Sequence, residues 1–557
     1  FLGFHAEDFP DSSLTIDNVV DHLTRNTQSE MKKLFRQWIF AWDYEKESDW
    51  SEDTKRNTLE RRALILEKLG IGDFFDELNA EYRVAVEHPP VVISEDHEIW
   101  YPRTVLPFYW DRYKNHLREK RGLEETAIIS LDDATNQIIS RLSDPQREDA
   151  FQAKGLVVGY VQSGKTANFT GLIAKAIDSG YRIIIVLSGM MDLLRDQTQR
   201  RLDMELVGKE QVLSMRSPDE VHEYSEDPDW EEMFVEYGGP PREQGGSRIF
   251  RLTKAKHDFR LLEAGVDKIL DIETLERQDE REPINHVSNL EKSSVRLVVV
   301  KKNAAVLKKL LQNLSGLSEA VRDQIPALLI DDESDQASLN AQRKSQRAKS
   351  REEKNRTAIN SLVTQILGLM KRCQYVGYTA TPFANVLVDP DDETDIFPKD
   401  FIISLPKPSG YMGVSDFHDL SDEPPDSFEL TNKEAYIRGI AQLPGEDNEK
   451  LQEAIDMFVL TGAVKLFRED KGVEGDYRHH TMLTHESVKK AEHAKLAERL
   501  LGIWNRSGYH GGDGMNRLKN LFEEDLKPVM RDRGKDLISP KKFEDLRLFI
   551  GKTVDRI

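Results

Sequence analysis

Apolar positions over residues 14–44 recur at helical spacing, with Val19, Val20, Leu23, Met31, Leu34 and Trp38 on one stripe, and a second such run covers 58–78. His88-Pro89-Pro90 ends it, because a residue ahead of proline is pushed out of the helical region. Residues 1–105 therefore read as an α-helical N-terminal region. Helical spacing returns over 110–142 and stops at Asp144-Pro145. Beyond it the pattern changes to short continuous apolar runs at 156–158, 183–187, 297–300, 327–330 and 375–378, each the length of a strand buried on both faces. Between the first two, Phe169, Leu172, Ile173, Ala176 and Ile177 line one helix face and Gly180 sits where a left-handed stop belongs. That is a βαβ unit of about 30 residues with a right-handed crossover.

Strands alternating with helices predict an α/β fold, a parallel sheet flanked by helices. Residues 204–295 break the rhythm with acidic and Gly/Pro-rich stretches such as Gly238-Gly239-Pro240-Pro241, and read as an insertion. A helix over 454–467 and a strand at Thr481-Met482-Leu483-Thr484 are expected to belong to another domain. The domain reading is 106–400 for the first α/β domain, 401–445 for a linker and 446–557 for the second.

Composition narrows this picture. Among 557 residues, 78 Lys and Arg stand against 99 Asp and Glu, a formal charge of −21, so coating nucleic acid through bulk charge is disfavoured while a local basic groove is not. Cys373 stands alone, so no intrachain disulfide can form and a reducing, cytoplasmic home is expected. No run approaches the length of a membrane span. The chain opens on Phe1-Leu2-Gly3-Phe4 with no basic segment ahead of an apolar one, which reads as a piece of a longer protein without a signal peptide.

The chemistry concentrates at three places. Gly159-Tyr160-Val161-Gln162-Ser163-Gly164-Lys165-Thr166 satisfies the P-loop pattern between an expected strand and an expected helix. Backbone N–H groups from Gly159, Gln162, Ser163 and Gly164, with the positive end of the following helix, suit a polyphosphate. Lys165 suits its β and γ phosphates, and the Thr166 hydroxyl suits Mg²⁺. Asp331-Asp332-Glu333-Ser334-Asp335 follows the apolar run 327–330, where carboxylates reach the ligand-binding edge of an open sheet. Asp332 is assigned to the metal, with Asp331 as the alternative, and Glu333 to the base that orients water. Thr379 and Thr381 of Tyr378-Thr379-Ala380-Thr381-Pro382 are expected to hydrogen-bond to the acidic motif and couple nucleotide state to movement.

A P-loop, a D-E-x-D motif and a T-A-T-P motif in this order resemble motifs I to III of superfamily 2 helicases and translocases. The fuller wording, with Ala167-Asn168, Asp178-Ser179-Gly180-Tyr181, the stretch 194–202 and 376–385, resembles the Z1-domain family over about residues 105–500. Members of that family carry an endonuclease label and occur in bacterial restriction and anti-phage loci beside MORC-type ATPases and nucleases. The resemblance implies a RecA-like P-loop NTPase domain using ATP and Mg²⁺, the start of a second RecA-like lobe near Thr484 and His485, and DNA as partner. Gln197 and Arg200 then fall where such proteins contact the nucleic-acid backbone. Arg343, Lys344 and Arg347, in a stretch of seven Lys/Arg against two Glu over 341–356, would track phosphates.

Some parts of the pattern are missing. No motif V or VI is recognisable before Ile557, so an arginine finger is expected from beyond the chain's end or from a partner. His479, His480, His485 and His493 lack zinc spacing, and no nuclease constellation stands out. The leading expectation is an ATP-dependent DNA translocase of a defence system. Its alternatives are a partner-regulated NTPase switch without translocation, or an endonuclease whose site lies in the insertion or beyond residue 557.

Overall fold

The computed structural model describes the chain apart from residues 1–14, 25–29, 45–49, 51–53, 56–57, 83–90, 93–99, 103–106, 162–163, 215–220, 241–247, 256–257, 259–277, 337–350, 383–395, 397, 409–410, 419–427, 440–446, 474–476, 478, 488, 535–536 and 557. The chain divides into two units, one ending at Tyr411 and the other beginning at Met412.

The first unit is built on an eight-stranded sheet. Its strands are β1 (Val91–Val92), β2 (Lys154–Val158), β3 (Ile183–Ser188), β4 (Ile249–Arg251), β5 (Val295–Lys301), β6 (Ala327–Asp332), β7 (Cys373–Thr379) and β8 (Phe401–Ser404). They lie in the order β1-β8-β2-β7-β6-β3-β5-β4. Every pairing is parallel except that of β1, which runs antiparallel on β8.

Alternation along each strand assigns its side chains to two cores. Ile184, Val186, Leu328 and Ile330 join residues of the helices Tyr109–Glu119, Glu125–Arg141 and Lys165–Ser179. Ile183, Ile185, Leu187, Ala327 and Leu329 join residues of Ala304–Ser315 and Arg351–Leu369. All six residues of β3 are buried, which is why it reads as an unbroken apolar run, and each Val, Leu or Ile so placed is worth about 1.5–3 kcal/mol.

Gly180 stops the helix Lys165–Ser179 in the left-handed region with φ 115°, as expected. Just before it, Asp178 has a structural task. Its Oδ1 accepts from the backbone N–H of Phe108 and Tyr109, at 3.1 and 2.8 Å, and its Oδ2 from Trp110 at 2.9 Å. One carboxylate thus satisfies three donors at the start of the helix Tyr109–Glu119. Burial nonetheless pushes its pKa up to about 6, against those three hydrogen bonds. Asp178→Ala strands the three donors and is expected to lower stability by about 2 kcal/mol, read as a lower urea midpoint at unchanged slope.

Several boundaries differ from the sequence reading. The stretch 204–295 supplies β4, which extends the sheet beside β5, so it is partly sheet. Around it, Met204, Val212, Tyr224, Trp230 and Phe234 form a small core of their own. Residues 401–404 are β8 rather than linker, because Phe401 and Ile403 pack into the core beside β2.

The N-terminal helices Ile16–Thr24, Glu30–Tyr44, Leu59–Lys68 and Phe75–Glu81 enclose a separate core around Met31, Ile39, Leu66 and Leu78. Inside it Arg62 pairs with the buried Asp43.

Among its described residues the second unit contains helices and no strand. Asp447–Asp470 packs with Lys490–Arg506, Gly512–Leu521 and Arg547–Val554 around Val459, Leu460, Leu518, Phe522 and Ile550. Asp456 is buried there and accepts from Tyr509 Oη at 2.6 Å, Gln452 Nε2 at 2.8 Å and Arg517 Nε at 3.1 Å. The strand expected at 481–484 does not form: the residues pair with nothing in a ladder, and Leu483 is 90% exposed. The sheet that a second RecA-like lobe requires is therefore not found among these residues. No helix among the described residues is long and apolar enough to cross a membrane.

Candidate functional site

Parallel strands put all their carboxyl ends on one edge. The registers Val158↔Thr379 and Asp332↔Tyr378 align the ends of β2, β7 and β6 there, with β7 between the glycine-bounded loop and the acidic motif. The chain leaves β2 toward β3 in one direction along the sheet and β7 toward β8 in the other. Adjacent strands whose connections run in opposite directions leave to opposite faces of the sheet, and ligands of open α/β sheets bind in the crevice between them.

Each side of the crevice is tied to β7. The Gly159 N–H donates to Thr379 O at 3.0 Å, which fixes the start of the loop and, contrary to the expectation for Gly159, withdraws that N–H from a phosphate. Gly164 precedes the helix Lys165–Ser179 at φ 95°, a conformation that strains any side chain bearing Cβ. Lys165 is buried, with Nζ 3.4 Å from Tyr160 O. Asn168 and Tyr378 are joined through Tyr378 Oη, which donates to Asn168 Oδ1 at 2.8 Å.

From the other side, the acidic turn folds over β7. The Ser334 N–H donates to Tyr378 O at 2.9 Å and its side chain is buried against Gly377. A Cβ on Gly377 would meet Ser334 Oγ at 2.9 Å, so only glycine admits the turn this closely. Thr379 Oγ1 donates to Asp335 Oδ1 at 2.8 Å, and Thr381 Oγ1 to Asp335 Oδ2 at 2.7 Å. Both threonines thus bond to the acidic motif as expected, and Asp335 is the residue that receives them.

Strand alternation separates the two candidate acids. Asp331 shares the face of Ala327 and Leu329; it is buried, with Oδ1 2.7 Å from Lys302 Nζ, and its Oδ2 accepts from Tyr375 Oη at 2.7 Å. Asp332 shares the face of Leu328 and Ile330, the side of the helix that carries Lys165. Burial, then the neighbouring Glu333 charge, pushes its pKa up to about 6, while Lys302 and Lys165 pull the other way. Asp332 therefore senses the loop lysine and Asp331 is occupied.

Glu333 has φ 53°, and among the described residues no other non-glycine has positive φ. Such backbone costs about 1–3 kcal/mol and persists where its surroundings hold it, commonly at functional sites. The Glu333 carbonyl accepts from the Gln336 N–H at 2.9 Å and from Lys302 Nζ at 2.5 Å. Lys302 was not anticipated from the sequence, since it follows β5, two strands away from β6.

The other expected residues are less concentrated. Gln197 is exposed on the helix Asp192–Leu202. Arg200, on the same helix, is not available to a phosphate as expected. Its Nη2 donates to Asp227 Oδ1 at 2.7 Å and to Asp229 Oδ2 at 2.6 Å, so it anchors the 224–235 segment. Gln162, Ser163, Arg343, Lys344 and Arg347 lie outside the described residues. Cys373 is buried and burial pushes its thiol up to about 12, which leaves it unreactive. His480 stacks on Phe458 with ring centroids 4.3 Å apart, a packing role.

The arrangement sets the Lys165 ammonium at the head of a helix on one side and the perturbed Asp332 carboxylate on the other, a pairing whose charges suit an anion beside a divalent cation. No group of three or more His, Cys, Asp or Glu among the described residues converges on a metal. A cation here would be of the kind that shares one or two carboxylates with a ligand's phosphates.

Comparison with known proteins adds one assignment. Residues 450–557 match the model of the Z1 domain. The match lies wholly in the second, helical unit, whereas the motifs that carried the resemblance lie mainly in the first. Asp456 and the helices around it are thus part of the Z1 region. No curated protein and no solved structure matches the chain.

Proposed function

We propose that the chain is a P-loop NTPase of helicase type, hydrolysing ATP with Mg²⁺ and working on DNA in a restriction or anti-phage system. The observation that carries this reading is the acidic turn folded across β7 toward the glycine-bounded loop, with Thr379 and Thr381 both bonded to Asp335. Three motifs remote in sequence meet at one edge of the sheet, which supports a reading of nucleotide hydrolysis coupled to movement.

Lys165 and the N–H groups of Gly164 and the neighbouring Gln162 and Ser163 bind and orient the polyphosphate. Thr166 and Asp332 are the residues that would hold Mg²⁺, which neutralises charge on the β and γ oxygens when bound. The donor set fits it: a hydroxyl at the loop's helix and a half-buried carboxylate on the same face of the sheet as that helix. Glu333 orients the attacking water and accepts its proton. The Asp335 link to Thr379 and Thr381 transmits the state of the turn to the end of β7.

A second reading also has support. With only helices described in the unit that contains the Z1 region, the sheet of a second motor lobe has no counterpart there. That favours a partner-regulated NTPase switch that never moves along DNA. The two separate on one experiment. Stimulation of ATP hydrolysis by duplex DNA together with displacement of a triplex-forming strand is expected of the motor, and turnover indifferent to DNA but raised by a partner subunit such as a MORC-type ATPase or a nuclease is expected of the switch. DNA-stimulated hydrolysis without triplex displacement would remove translocation from the proposal.

A further inference from the structure

Lys302 directly follows β5, and its backbone N–H points back to the end of β3, 3.3 Å from Ser188 O. Its side chain reaches past β3 to the turn after β6. There the ammonium is fully buried and meets three oxygens: it donates to Glu333 O at 2.5 Å and Gln336 O at 3.2 Å, and forms an ion pair with Asp331 Oδ1 at 2.7 Å. Two of the three are carbonyls of one tight turn, Glu333 and Gln336, which are also bonded to each other through the Gln336 N–H. The ion-pair partner, Asp331, is braced from β7 by Tyr375 Oη.

This cluster surrounds the single described non-glycine residue with positive φ. An unfavourable backbone needs an external hold, and Lys302 supplies one at the carbonyl of that very residue. It also cancels the Asp331 charge, so that Asp332 and Glu333 are not crowded by a third bare carboxylate.

We propose that Lys302 is a positioning residue for Glu333: its buried ammonium, locked to Asp331 and Tyr375, holds the 333–336 turn in the left-handed conformation that aims the Glu333 carboxylate. The inference rests on Glu333 as the base of the proposed hydrolase. Lys302 itself touches no substrate.

The test uses the full chain with Lys302→Met and with the double variant Lys302→Met/Asp331→Asn, which removes the buried charge left behind. In Lys302→Met, kcat is expected to fall about tenfold to a hundredfold while affinity for a fluorescent ATP analogue stays within about twofold. Amide exchange over 331–336 is expected to rise, with the helix Lys165–Ser179 still protected. In the double variant the melting temperature recovers but kcat does not, because the grip on the Glu333 carbonyl is still missing. Recovery of kcat together with stability would overturn the proposal by reducing Lys302 to a structural ion pair. Lost analogue affinity at unchanged kcat would overturn it by making Lys302 a phosphate ligand, and so would unchanged exchange over 331–336 in Lys302→Met. The exchange readout is independent of turnover, so a wild type without Lys165-dependent hydrolysis would defeat the parent reading separately.

Discussion

Glu333→Gln is expected to leave nucleotide binding in place and lower ATP turnover by about 10²–10⁴, the usual worth of a positioned general base. The substitution keeps the size of the side chain and leaves its backbone contacts intact: the carbonyl still accepts from Lys302 and Gln336, and the N–H still donates to Asp332 Oδ1 at 3.1 Å. What is lost is the capacity to take a proton, together with the charge that helps raise the Asp332 pKa. Phosphate release under saturating Mg-ATP, beside the affinity for a fluorescent analogue, measures both halves of the expectation. Turnover that survives the change would place the base elsewhere and leave the strain at Glu333 without a catalytic reading.

A second large effect is expected at Asp332, and it depends on pH. Burial and the Glu333 charge raise its pKa from the ordinary carboxylate range to about 6. The contribution of this group to stability without nucleotide is therefore fully present below the unfolded value near 4 and is lost as pH rises through about 6. A cation needs the deprotonated form, so it competes with the proton below that point. Affinity for Mg-ATP is expected to fall by about tenfold per unit below pH about 6 and to level off above it. Asp332→Asn should flatten that profile and raise the Mg²⁺ requirement by about 10–100-fold, a range set by analogy with ligand-shell substitutions. Nucleotide titrations at fixed Mg²⁺ between about pH 5 and 8 follow both effects. An unchanged pH profile in Asp332→Asn would return the metal role to another group.

The five longer strands announce themselves in sequence because burial on both faces removes polar residues, as in β3 and β5. β4 and β8 do not, since three or four residues carry too little periodicity to stand out, and β4 alternates buried and exposed positions beside arginines. The meeting of the glycine-bounded loop, the acidic turn and the Thr379/Thr381 pair at one sheet edge was readable because each directly follows an apolar strand run. Strand parity would also have separated Asp332 from Asp331: Asp332 falls in phase with Leu328 and Ile330, which the sheet alternation sends to the side of the helix Lys165–Ser179.

Other roles depend on contacts between segments far apart in sequence. Asp178 caps a helix that begins 69 residues earlier, at Tyr109. Arg200 has i,i+3 spacing suited to a phosphate contact, yet Asp227 and Asp229 hold it from 27 and 29 residues away. Lys302 looks like the second of two surface lysines until β5 is placed beside β3 and its side chain is traced to Asp331. The last 108 residues carried a helix signal over 454–467, which the structure bears out, and a strand signal at 481–484, which it does not, because helices packed on a modest core carry no motif chemistry; the Z1 match is what assigns them.

Calorimetric titration of the full chain with ATP, in the presence and absence of Mg²⁺ and beside Lys165→Ala, tests the central claim most directly. Lys165 is buried at the head of the helix Lys165–Ser179, on the side where Asp332 senses its charge. The expected result is saturable, Mg²⁺-strengthened binding by the wild type that Lys165→Ala weakens by at least about tenfold, the loss of a charge-assisted contact to phosphate. Equal affinity in the two proteins, or no saturable binding of the triphosphate to the wild type, would contradict it.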